Sequence, residues 1–145
     1  MKILFGGFIL SYLVIASVVD FKEKVVDLRL LAVYVLATPI AMFFTGEELF
    51  PAARILGICP GLLLLLLSFM KGEVVGKGDG MVVVWLGYAL GLTAILEVLL
   101  LGWCFAFFVA VRRLVKGSRK RIAFVPFLST AFLVLFLNLV TKMVN

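Results

Sequence analysis

The sequence predicts an all-α fold, a polytopic membrane helical bundle of six transmembrane helices in which the fourth is short. The chain has 145 residues, of which 65% are hydrophobic, and its mean hydropathy is +1.27. A soluble domain of this size could not bury so much apolar surface. The apolar runs are continuous and rich in leucine, and several approach the roughly 20 residues that cross a bilayer. A transmembrane β-barrel would instead alternate apolar and polar residues. We expect a single transmembrane domain over residues 1–145.

The first three apolar runs are separated by short polar segments. They predict helices over Ile3–Val19, Leu30–Phe44 and Ala52–Met70. The first run also resembles a cleavable signal peptide, but more apolar sequence follows it, which fits a retained helix better. In the third run Gly57 and Gly61 are four residues apart, a spacing typical of helices that pack closely in membranes.

The apolar sequence from Met81 to Val111 is too long for one crossing and too short for two. Its 31 residues would form a helix of roughly 46 Å, whereas one crossing needs about 30 Å and two need about 60 Å. The segment Gly87–Gly91 offers a place to turn. We therefore predict a short helix, Met81–Leu90, then Thr93–Val111, and a last helix over about Phe124–Val140.

Basic residues are distributed unevenly over the predicted loops. With six crossings, only Lys2, Arg54 and Lys142 lie on one side of the membrane, and the other eleven of the 14 Lys and Arg residues lie opposite. Loops rich in Lys and Arg stay in the cytoplasm, so we expect the N-terminus to be external. The same rule accounts for the net charge of +6, and we expect the lipid bilayer, and no nucleic acid, as a partner.

The residue types exclude several kinds of catalytic and metal site. The chain has no histidine, which excludes Ser-His-Asp and Cys-His catalysis and His-ligated zinc. Cys59 and Cys104 are far apart within apolar runs and form no CxxC pair. We expect both to be buried small apolar residues, and we expect no metal and no cofactor.

A glycine-rich polar segment, Gly76-Lys77-Gly78-Asp79-Gly80, interrupts the apolar sequence. Glycine adopts backbone conformations closed to other residues, so an irregular turn here can present Asp79 at the head of the next helix. An acid near the bilayer is costly and is therefore a functional candidate. In the predicted topology Asp20 lies on the same side, and two adjacent carboxyl groups can share a proton and activate water, as in aspartic proteases.

Each acid also has a structural alternative. Asp79 could N-cap a helix that begins at Gly80, where the helix dipole favours negative charge. Asp20 could be a solvated charge in the first loop, and Asp27 could cap the second helix. Glu97 lies in an apolar helix near the external side, and we assign it no role.

Four elements in this order resemble the type IV prepilin leader peptidases, membrane aspartic proteases with a GxGD turn. The first is an acid after the first helix, Asp20, and the second is a GxGD turn, Gly76–Asp79, with Glu73 upstream. The third is two Leu-Gly pairs, Leu86-Gly87 and Leu90-Gly91. The fourth is a late Pro-containing segment, Ile122–Leu128. The resemblance covers nearly the whole chain. It implies an enzyme of a prokaryotic inner membrane that cleaves prepilin or pseudopilin leaders on the cytoplasmic side, usually after a glycine.

The resemblance also implies roles for individual residues. Asp20 and Asp79 would be the catalytic pair, Gly76 and Gly78 would shape the active-site turn, and Glu73 and Pro126 would be supporting positions. The family often carries Pro-Asn shortly after the first acid, where this chain has Val25-Val26-Asp27. Asp27 is therefore the alternative acid of the first loop, although Asp20 is favoured.

Two further departures bear on the form of the enzyme. Met81 stands two residues after Asp79, where the family commonly has Lys. The chain also lacks the cysteine-bearing N-terminal extension of larger relatives, which methylate the new N-terminus, so we expect the short, peptidase-only form. A different class of function fits the same residues: the glycine-rich segment could be a broken helix in a non-catalytic membrane subunit or a small transporter.

Overall fold

The computed structural model describes residues 2–23, 26–46, 51–71, 76–115 and 124–144. These residues form six α-helices, and no strand occurs among them. The helices are α1 Lys2–Glu23, α2 Leu28–Thr45, α3 Ala52–Lys71, α4 Lys77–Leu90, α5 Leu92–Val115 and α6 Val125–Val144. The predicted all-α class and the order of six helices with a short fourth one are confirmed.

Five of the six helices are long and apolar enough, by length and composition, to cross a membrane. The exception is α4, whose 14 residues extend roughly 21 Å at 1.5 Å per residue. Large apolar side chains such as Leu36, Phe44 and Phe108 are exposed on the outside of the bundle. This surface fits a lipid environment, in which an exposed apolar side chain costs no free energy.

Both cysteines lie on this outer surface. Cys59 and Cys104 are exposed, so the prediction that they are buried is wrong. In water an apolar side chain is driven into the protein core, but lipid tails are as apolar as leucine. The apolar sequence around each cysteine therefore indicated a membrane helix without indicating which face of the helix points inward.

Glycines bring α3 and α4 into backbone contact. A Cβ atom built on Gly57 would overlap the carbonyl oxygen of Gly87, and one built on Gly87 would overlap that of Gly57. A Cβ atom on Gly61 would overlap the backbone nitrogen of Val84. The close packing predicted at Gly57 and Gly61 is thus confirmed, and α3 and α4 run antiparallel along it.

The predicted turn between the fourth and fifth helices is also confirmed. Gly91 adopts a φ of 84°, a left-handed region that disfavours other residues. Its N–H donates a hydrogen bond of 2.9 Å to the carbonyl of Gly87, which ends α4. The chain reverses within one residue, since α5 begins at Leu92.

Contacts of Arg54, near the beginning of α3, define one end of the bundle. Its guanidinium lies 5.8 Å from the ring centroid of Phe5, near the start of α1, and it donates a hydrogen bond of 2.5 Å to the carbonyl of Ala89, near the end of α4. It also lies 3.9 Å from the sulfur of Met42, near the end of α2. We call this the Arg54 end, and the other the aspartate end, at which α1 finishes and α4 begins.

Candidate active site

Asp20 lies in the last turns of α1 at the aspartate end. Its side chain is only 3% exposed, and its Oδ2 accepts a hydrogen bond of 3.2 Å from the backbone N–H of Val125, the first residue of α6. The first N–H groups of a helix have no partner within it and carry partial positive charge. The beginning of α6 therefore holds this carboxyl group in place. Asp20 is not the solvated loop charge considered as its alternative, because α1 continues past it to Glu23.

Asp79 lies in the first turn of α4 and is partly buried. The predicted start of this helix at Met81 is wrong, because Lys77–Gly80 is already helical and the N-cap is Gly76. Asp79 is therefore not the N-cap. Gly76 has φ −63° and ψ 128°, an extended conformation typical of N-caps, so the glycine-rich segment begins a helix where an irregular turn was expected.

Both glycines of the predicted active-site turn make room for a neighbour. A Cβ atom built on Gly76 would lie 2.8 Å from Oδ2 of Asp79, so the carboxyl group of Asp79 lies over Gly76. A Cβ atom built on Gly78 would lie 2.6 Å from Cβ of Val26. Val26 is buried, so Gly78 permits the residues before α2 to pack against the beginning of α4.

The two acids lie at a similar depth in the bundle. The ring centroids of Tyr12 in α1 and Trp85 in α4 are 4.6 Å apart. Asp20 follows Tyr12 by two turns, and Asp79 precedes Trp85 by less than two turns. Since α1 and α4 run in opposite directions, both acids lie roughly 9–12 Å from this aromatic contact, towards the same end.

The carboxyl groups of Asp20 and Asp79 interact electrostatically. Burial raises the pKa of Asp79 to about 7, and the negative charge of Asp20 acts in the same direction. Asp79 lies outside the five candidate membrane spans. A protonated carboxyl group near an ionised one would provide a proton donor and a proton acceptor.

The remaining predicted site residues have different positions. Asp27 is exposed and N-caps α2, where its Oδ1 accepts a hydrogen bond of 2.9 Å from the N–H of Arg29. Pro126 is in the first turn of α6, where proline is tolerated because its missing N–H has no helical partner. Glu73 lies outside the described residues.

A small groove lies between the last turns of α1 and the first turn of α6, and neither Asp20 nor Asp79 is among the residues that line it. It has a volume of about 230 Å³ and is lined by Ser17, Val18, Phe21, Lys22 and Pro126. Its side chains come from the last turns of α1 and the first turn of α6, the same turns that position Asp20. Among the described residues, no group of three or more His, Cys, Asp or Glu side chains could hold a metal ion.

Two groups at this site were not predicted from the sequence. One is the backbone N–H of Val125, which no side-chain pattern can reveal, although the proline after it is typical of a first helical turn. The other is Val26, whose contact with Gly78 joins segments that are distant in the chain.

Comparison with known proteins identifies a family. A family model described as the type IV leader peptidase family matches residues 7–111, a range that includes Asp20 and Asp79. No curated protein matches the chain, and no solved structure matches it.

Proposed function

Since the chain belongs to the type IV leader peptidase family, we propose that it is an aspartic endopeptidase with Asp20 and Asp79 as its catalytic pair. Its substrates would be prepilins or pseudopilins, cut on the cytoplasmic side of the inner membrane of a prokaryote. One observation carries this proposal. Two partly or fully buried acids from distant segments lie at the same end of the bundle, and the charge of one raises the pKa of the other.

The pair has the groups that peptide hydrolysis requires. We assign Asp79 as the acid, because its raised pKa keeps it protonated up to about pH 7, and Asp20 as the base. Asp20 takes a proton from a water molecule while the water oxygen attacks the carbonyl carbon of the scissile bond. Asp79 donates its proton to the carbonyl oxygen. When the tetrahedral intermediate breaks down, the proton held by Asp20 passes to the leaving amine and Asp79 recovers its own.

The surroundings of the pair support a substrate that lies in the membrane. The groove between α1 and α6 has the exposed ring of Phe21 on one side and Pro126 on the other. An extended segment next to an apolar helix, such as the junction between a pilin leader and its helix, could enter from the lipid. The excess of Lys and Arg in the loops at the aspartate end supports a cytoplasmic location for this end.

Two substitutions test the proposal. We expect Asp20→Asn and Asp79→Asn each to lower the rate of cleavage of a co-expressed prepilin by at least roughly 100-fold, the usual contribution of a general acid or base. The cleaved and uncleaved pilin are separated by gel electrophoresis, and size-exclusion chromatography in detergent checks folding. Asp27→Asn is the matched control: asparagine also caps helices well, so cleavage should continue.

The results distinguish the proposal from the other class of function. If either Asn variant still cleaves at the wild-type rate, the catalytic pair is wrong. If the wild-type protein is folded in the membrane but cleaves none of the prepilins encoded beside it, a non-catalytic membrane subunit or small transporter is the better explanation.

A further inference from the structure

A second cavity, of about 450 Å³, lies at the Arg54 end of the bundle. It is lined by residues near the beginnings of α1, α3 and α5 and near the ends of α4 and α6, among them Phe5, Ile9, Arg54, Glu97, Phe132 and Lys142. Asp20 and Asp79 are at the opposite end, so the cavity has no part in the proposed peptide hydrolysis. Its volume is within the roughly 300–1,000 Å³ that is typical of small-molecule sites.

The lining changes from apolar to polar towards the end of the bundle. Along α6, Phe132 and Phe136 are followed by Asn138 and then by Lys142, near the end of the helix. Phe132 is buried, whereas Asn138 and Lys142 are exposed, and Phe132 and Lys142 are separated by roughly 15 Å along the helix. This is the order of polarity of a phospholipid that lies with its chain in the membrane and its headgroup at the surface.

The polar part of the cavity has three charged side chains, two of them basic and one acidic. Arg54 and Lys142 are cationic, and Glu97, on α5, is anionic. Side chains of a helix lean towards its N-terminus, so Glu97 leans towards the Arg54 end. Two cations suit a phosphate group. A carboxylate that lines the same cavity disfavours a second negative charge and suits an ammonium group.

We propose that this cavity binds a phospholipid with an amine-bearing, zwitterionic headgroup of the phosphoethanolamine type. The phosphate lies near Arg54 and Lys142, the ammonium group lies near Glu97, and an acyl chain runs along Ile9 and Phe132. The bound lipid fills the space between α1, α5 and α6 at the end of the bundle remote from the acids.

Lipid retention by the full-length protein tests this proposal. The protein, delipidated in detergent, is given equal amounts of phosphatidylethanolamine and phosphatidylglycerol with identical acyl chains, and the bound lipid is measured by native mass spectrometry. We expect the wild-type protein to retain phosphatidylethanolamine roughly two- to fivefold more, the effect of one exposed ion pair. Glu97→Gln should remove this preference, and Lys142→Gln should lower retention of both lipids.

Arg112→Gln is the matched control, because Arg112 is exposed near the far end of α5, away from the cavity. This substitution should leave the retention of both lipids unchanged. All three substitutions change exposed side chains, so folding is not at risk. Equal retention of the two lipids by the wild-type protein, a preference for phosphatidylglycerol, or a preference that survives Glu97→Gln would each overturn the proposal. The measurement does not depend on peptidase activity.

Discussion

At the scale of residues, the two acids of the candidate site are placed in different surroundings. Asp20 accepts a hydrogen bond from the N–H of Val125 at the beginning of α6. Asp79 lies over Gly76 in the first turn of α4, where burial and the charge of Asp20 raise its pKa to about 7. The two carboxyl groups are therefore held by different neighbours, which is the basis on which we assign them different roles.

The raised pKa of Asp79 predicts the pH dependence of cleavage. Below about pH 7 Asp79 is protonated, and above it Asp79 ionises and the proton donor is lost. We therefore expect a bell-shaped profile whose alkaline limb lies near pH 7, with an acidic limb where Asp20 also becomes protonated. The pH profile is measured from the initial rates at which the purified protein cleaves a synthetic prepilin peptide. A flat profile from mildly acidic to mildly basic pH would contradict the assignment.

At the scale of elements, the pair of helices α3 and α4 positions Asp79. Gly57, Gly61 and Gly87 allow the two backbones to touch, and Gly80 packs closely against Leu65 of α3. Because the contact is between backbones, no rotamer change can make room for a side chain there. The position of α4, and of the acid in its first turn, therefore depends on glycine.

This packing predicts opposite effects for two glycine substitutions. Gly87→Ala should destabilise the protein by about 1–3 kcal/mol, the usual cost of overpacking, since its Cβ would overlap the carbonyl oxygen of Gly57. Gly7→Ala is the matched control: nothing lies within 4 Å of a Cβ there, and alanine favours a helix by roughly 0.5–1 kcal/mol. Thermal unfolding in detergent measures both. Equal effects of the two substitutions would show that α3 and α4 are not in backbone contact.

At the scale of the whole molecule, the short α4 brings the number of passages of the chain between the two ends of the bundle to six. Gly80, at its beginning, packs against Leu65 of α3, and Gly91, just after it, lies beside Ala53. The helix thus returns along most of α3, although it is not among the five candidate spans. With an external N-terminus, an even number of passages places the C-terminus outside as well.

Reporter fusions test this topology. We infer that both ends of the chain are external. We therefore expect alkaline phosphatase fused after residue 145 to be active and a green fluorescent protein at the same position to be dark. A fusion within the basic segment 116–121 is the control and should behave in the opposite way, since Lys and Arg favour the cytoplasm. A fluorescent fusion after residue 145 would show that α4 does not return the chain across the membrane.

The features that were predicted wrongly are ones that the neighbouring residues in the sequence do not reveal. The glycines around Asp79 were interpreted as an irregular turn, yet Lys77–Gly80 is helical, because packing against α3 compensates for the low helix propensity of glycine. The two cysteines were expected to be buried, yet both are exposed. In each case the neighbours of the residue, which are distant in sequence, decided the outcome.

The all-α membrane class could be predicted from the sequence alone. Hydropathy indicates the apolar runs of membrane length, helix length requires a break, and local backbone preference places that break at Gly87–Gly91. These are properties of short segments, as is the order of acids and glycines. The contacts at the site, in contrast, depend on how distant segments pack together. The hydrogen bond from Val125 to Asp20 and the contact of Val26 with Gly78 join segments that are separate in the sequence. The effect of the Asp20 charge on the pKa of Asp79 likewise acts between two helices. Helix packing sets those distances, and no single segment of the sequence encodes them.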